Sequence, residues 1–129
     1  MIMRCLLAVL LTCVVVAAGT AAPLSPAART EIDALMSRLE TSGCEFNRNG
    51  TWHTNAAAKS HLLLKLKHLE ERGSVQSAEQ FVALAASSSS TTGQPYLVKC
   101  GNGAPVHSAT WLLSQLQAMR SAGQLKSAR

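Results

Sequence analysis

The chain has 129 residues, a net charge of +5 from 12 basic and 7 acidic side chains, and four cysteines. That length leaves room for one small domain with a single modest core and excludes two. The basic residues are dispersed, with no polybasic run, which speaks against nucleic acid and against stable attachment to a membrane.

The opening MIMRCLLAVLLTCVVVAAGTAA sets one charge, Arg4, before an apolar run from Cys5 to Ala18 and then small residues, the order of a secretory signal peptide. The run is shorter than the ~20 residues a bilayer span needs, and Pro23 follows rather than a basic stop-transfer cluster. Residues 1–21 are therefore read as a signal peptide cleaved after Ala21 or Ala22, and the protein as periplasmic or secreted, with no stable membrane anchor. Cys5 and Cys13 leave with this leader, and in an oxidising compartment the remaining Cys44 and Cys100 most simply form a disulfide. The chain-entropy model gives roughly 4 kcal/mol for closing a loop of about 57 residues. A reactive or metal-binding cysteine pair is the alternative; the absence of a CxxC spacing counts against it.

SPAARTEIDALMSRLETSG reads as a helix starting near Ser25-Pro26 or recapped at Thr30, with Ile32, Leu35, Met36 and Leu39 forming an apolar stripe and Gly43 ending it. CEFNRNGTWH, residues 44–53, alternates in side-chain character around Asn49-Gly50, whose tolerance of positive φ suits a type I′ turn, so it reads as a β-hairpin. Thr54 or Asn55 can cap a second helix that stops at Gly73. At about 100° per residue Leu62, Leu66 and Leu69 line its core side, and His61, Lys65, His68 and Arg72 gather into a basic stripe beside it.

Ser77 with Gln80 has capping-box spacing and opens a short helix whose apolar side is expected from Phe81, Leu84 and Ala85. SSSSTTGQ reads as an exposed loop, and PYLVKC, residues 95–100, as a third strand that would bring Cys100 towards Cys44. Ser108 can cap a last helix lined by Leu112, Leu116 and Met119. The expected domain covers residues 22–120, with a fraying, flexible tail over 121–129. Trp52 and Trp111 read as packing residues rather than ligand platforms. The fold class is α+β: about four helices on a small, mainly antiparallel sheet made of the hairpin and strand 95–100, with one disulfide.

The order Glu31-Ile32, Ser42-Gly43-Cys44, Phe46, Arg48-Asn49-Gly50, Trp52, His61-Leu62, Lys65, Pro95-Tyr96, Val98 and Trp111-Leu112 resembles the YfeK-like family, small exported bacterial proteins built on a domain of unknown function. The resemblance implies one exported domain and carries over no catalytic residue.

No cofactor is implied. His61 and His68 stand seven residues apart, about 10 Å along a helix, too far to share one zinc without distorted geometry, although His53 could join one of them; no HxxxH or HExxH accompanies them, so no metal site is assigned. The serines and histidines fall into no Gly-x-Ser-x-Gly or triad order, and no carboxylate pair suits a glycosidase, so no catalytic residue is assigned. Arg48, His61, Lys65, Ser88 and Tyr96 could instead form a cationic, hydroxyl-rich recess for an anionic envelope ligand or an acidic protein surface. Set against this, Arg48 and Lys65 could simply be solvated, Tyr96 packed on the core, and the serine loop a connector. The expected activity is therefore binding, with a cell-envelope enzyme, most plausibly a hydrolase, as the alternative.

Overall fold

The computed structural model describes residues 13–15 and 23–127. Apart from residues 13–15, the predicted signal peptide lies outside them. Helix α1 (Pro26–Thr41) starts at the earlier of its two candidate sites: Ser25 Oγ accepts from Ala28 N at 3.1 Å, and Pro26 fills a first-turn position where a missing N–H costs nothing. Thr30 instead donates its hydroxyl to Pro26 O. The buried side is Ala28, Ile32, Leu35, Met36 and Leu39.

Strands β1 (Glu45–Arg48) and β2 (Thr51–His53) form the predicted hairpin, with Arg48 opposite Thr51. Its two linking residues both have positive φ, 52° at Asn49 and 82° at Gly50, as a type I′ turn requires. Helix α2 (Asn55–Glu71) is capped by Thr54, whose hydroxyl accepts from Ala57 N, and buries Ala58, Leu62 and Leu66.

Helix α3 (Ala78–Ala85) corrects one expectation. Ser77 caps it as foreseen, but its buried side is Ala78, Phe81, Val82 and Ala85, and Leu84 is 50% exposed. At about 100° per residue Ala78, Val82 and Ala85 fall on one side of Phe81 and Leu84 on the other. Three near-neighbours in a core decide the orientation against one leucine.

Residues 87–96 are also more ordered in their contacts than an exposed connector. Ser87 O accepts from Tyr96 N, Ser88 bridges Pro95, and Ser89 exchanges backbone bonds with Gln94 and Gly93. Strand β3 (Leu97–Lys99) then pairs antiparallel with β1, placing Glu45 opposite Lys99. That register sets Cys44 and Cys100 side by side just beyond it, and they are bonded, with Cα atoms 4.2 Å apart.

A two-residue strand, β4 (Val106–His107), pairs with β3 and completes an antiparallel sheet of order β2-β1-β3-β4. It was not foreseen, since two residues after the turn Gly101-Asn102-Gly103 carry no periodicity. Helix α4 (Ser108–Ser127) follows directly and buries Leu112 and Leu116. Its helical span includes SAGQLKS, residues 121–127, in which only Gly123 strongly disfavours helix.

Among the described residues, four helices and one sheet enclose a single core. Helix α1 packs against the other three helices, while α2 meets β1 and α4 meets β3. The sheet contributes Phe46 and Val98, and Tyr96 enters from the segment before β3. Trp52 stays 39% exposed on β2, whereas Trp111 packs partly against the core. No described helix is long and apolar enough to cross a membrane.

Candidate functional site

Three elements converge at the turn end of the hairpin. The end of β1 supplies Arg48, α2 supplies His61 and Lys65 one turn apart, and the segment Ser88–Tyr96 closes the far side. The hollow between them has a volume of about 280 Å³. The hairpin turn and the loop are tied together by one side chain, Asn49, whose Nδ2 donates to Ser89 Oγ at 3.2 Å and whose Oδ1 accepts from Thr92 Oγ1 at 2.6 Å. Asn49 thus does two jobs that follow from its chemistry: it tolerates a left-handed backbone, and its amide both donates and accepts.

Tyr96 is the centre of the site. Only 1% exposed, its ring packs against Phe46 at a centroid distance of 5.2 Å. Its hydroxyl lies 3.2 Å from His61 Nε2 and 3.2 Å from Lys65 Nζ. Lys65 Nζ also donates to Ser88 O at 3.1 Å and sits 5.0 Å from the centroid of the Tyr96 ring. An ammonium can only donate, so the tyrosine oxygen accepts from Lys65. The direction of its bond with His61 follows the imidazole tautomer: with the ring proton on Nδ1, Nε2 accepts the phenol proton.

The electrostatics favour a neutral imidazole. Burial lowers the pKa of His61, and the positive charges of Arg48, Lys65 and His53 lower it further. Lys65 is lowered by burial and then by Arg48, and burial raises the Tyr96 hydroxyl. Like charges have been gathered here without compensation: no carboxylate lines the hollow. A smaller hollow of about 80 Å³ adjoins it through Arg48 and His61 and is lined by His53 and by Phe46, Ala57 and Ala58.

All five candidate residues therefore come together, but Ser88 serves through its backbone carbonyl, and the hydroxyl lining comes from Ser89, Ser90 and Thr91. His53 approaches His61, as sequence analysis allowed. Among the described residues no group of three or more His, Cys, Asp or Glu is placed to hold a metal ion. Sequence reasoning missed Asn49 and Ser89. Asn-Gly explains its turn so well that a second role for the side chain leaves no separate signal, and a run of four serines does not say which one turns inward.

Residues 26–120 match a family of unknown function, DUF5329. The chain belongs to this family. Over 66 residues it is also 44% identical to the protein named Uncharacterized protein YfeK of Salmonella typhimurium strain LT2, a match that covers 50% of this chain and 53% of the relative. The aligned stretch thus spans about half the length of that relative. No solved structure matches the chain. The DUF5329 description names no activity, so it assigns none of the residues above a role.

Proposed function

We propose that the hollow formed by Arg48, His61, Lys65, Tyr96 and the Ser88–Thr91 segment binds an anionic group, and that the protein is a secreted or periplasmic binding module. The observation that carries the reading is the segregation of charge. Glu31 and Glu79 meet Arg120, Glu40 meets Lys59, and Asp33 and Glu70 meet Arg29, whereas no carboxylate meets Arg48, His61 or Lys65 among the described residues. Positive groups held together at a cost are what an incoming carboxylate or phosphate would relieve. Export is supported by the signal-like leader and by the disulfide, which belongs to oxidising compartments. The hydrolase alternative has less support, since His61 faces a phenol rather than a serine hydroxyl and no carboxylate orients it.

The test is a titration of the disulfide-bonded protein with sodium glutarate, and separately with inorganic phosphate, at constant ionic strength, followed by amide and imidazole NMR. Shifts are expected at His61, Lys65 and Ser89–Thr91, and should vanish in an Arg48→Glu, Lys65→Glu double variant that remains folded. Shifts scattered over the surface, or equal in the double variant, would refute the site.

A further inference from the structure

The hollow continues past Lys65. A third one, of about 310 Å³, adjoins it through Lys65 and Ser90 and runs beside the C-terminal half of α2, lined also by His68, Leu69, Arg72 and the half-exposed Leu84 of α3. No carboxylate lines any of the three hollows. One carboxylate meets a residue of its lining from outside: Glu71, whose Oε2 lies 3.8 Å from His68 Nδ1 in an exposed contact. Together the hollows form a groove along one side of α2 that carries Arg48, Lys65 and Arg72, with histidines between them and no carboxylate in its lining.

We infer that this groove binds an extended acidic segment of a partner protein, one with carboxylates at alternate residues. The inference rests on the anion-binding reading above and extends it to a ligand class. The spacing of the basic side chains is the first argument. At about 1.5 Å per residue along α2, Lys65 lies about 6 Å beyond His61, His68 about 10.5 Å and Arg72 about 16.5 Å. In an extended peptide, side chains at alternate residues share a face and recur about every 6.8 Å. Three such carboxylates therefore meet Arg48 with His61, then Lys65, then the gap between His68 and Arg72.

The lining supplies the second argument. Phe46 and Tyr96 are both buried to 1%, so neither ring offers nucleic-acid bases a face on which to stack. Leu69 and the exposed side of Leu84 give the third hollow an apolar wall, against which a peptide can set an apolar side chain and a polyphosphate chain cannot. The hydroxyls of Ser90 and Thr91 along the middle hollow can donate or accept, matching the alternating groups of a peptide backbone.

The experiment compares two synthetic heptapeptides of Glu and Thr with equal charge, one carrying Glu at positions 1, 3 and 5 and the other at positions 1, 4 and 7, with glutarate and inorganic polyphosphate alongside. Each is titrated into the disulfide-bonded protein and into an Arg72→Gln variant. The alternate-residue peptide is expected to bind at least about tenfold more tightly than its counterpart, and Arg72→Gln to remove most of that preference while leaving glutarate binding unchanged. Equal affinity for the two peptides, a preference indifferent to Arg72, or tighter binding of polyphosphate would overturn the peptide assignment. If glutarate still binds, the recess of the preceding section survives that outcome; if glutarate also fails, both readings fall.

Discussion

The two sides of this small domain handle charge in opposite ways. Where α4 crosses α1 and α3, Arg120 is held by Glu31, with Nε to Oε2 at 2.7 Å, and by Glu79, and all three side chains gain from the arrangement. The two carboxyls are held below their usual range by hydrogen bonds from the guanidinium, which is itself held more firmly protonated. At the hairpin end of α2, Arg48, His61 and Lys65 crowd together with no such partner, and burial and mutual repulsion push His61 and Lys65 towards neutrality. The first arrangement stabilises the fold, and the second is a cost the fold carries. A group of charges that does not help its own protein fold is a reasonable place to look for a ligand.

The comparison can be broken most severely at Tyr96, the one residue that belongs both to the core and to the recess. Tyr96→Ala should cost ~3–5 kcal/mol, as deletion of a buried ring does, whereas Tyr96→Phe should cost only ~1–2 kcal/mol for the lost hydroxyl contacts. Urea melts of the two variants check this; similar losses would mean that the hydrogen-bond network, and not the packing on Phe46, holds Tyr96 in place.

Gly50→Val comes next, at about 1–3 kcal/mol, because a β-branched residue resists a φ of 82°. It should exceed the loss from Arg48→Ala in the same melts. The reverse order would make Arg48 a structural partner.

Smaller but more telling is the sign of two arginine deletions. Arg120→Ala should destabilise by up to ~1 kcal/mol, the scale of an exposed ion-pair network. Arg48→Ala should leave stability within about 0.5 kcal/mol or raise it, because it removes repulsion on His61 and Lys65. Destabilisation by Arg48→Ala as large as by Arg120→Ala would erase the distinction between the two regions.

The pH dependence carries the same sign. The folded-state pKa of His61 lies below its ordinary value of 6.5, so the fold favours the neutral ring. The stability this provides is complete above the unfolded-state pKa and is lost as pH falls through that value and then through the folded one. Comparing the acid limb of the stability profile with that of His61→Gln should show a shallower fall in the variant. An unchanged slope would mean that His61 titrates alike in both states.

Much of the fold was legible because local signals agreed with one another. Ser25-Pro26, Thr54 and Ser77 open their helices, Asn49-Gly50 makes the turn, and the cysteines flanking β1 and β3 pair as the strand register requires. Three things lay outside local reach. Strand β4 is two residues long and exists only because β3 offers it an edge. Leu84 lost its place in the core to Ala78 and Val82, a choice made by the neighbouring helices rather than by α3. Ser89 turned inward because Asn49 reaches it across the fold. At the site, the basic stripe of α2 was readable from helical period, and Tyr96, just before β3, stood among the candidate lining residues. The pairing of Glu31, Asp33, Glu40, Glu70 and Glu79 with arginines and a lysine elsewhere, which gives the stripe its meaning, depends on tertiary placement.

The most direct test follows the imidazole of His61 by NMR across pH, with and without saturating glutarate at fixed ionic strength. The account predicts a pKa below 6.5 in the free protein and a rise on binding, so that the affinity for glutarate increases as pH falls through this range. A free-state pKa at or above 6.5 that glutarate leaves unmoved would contradict the claim that this end of the molecule is an anion site.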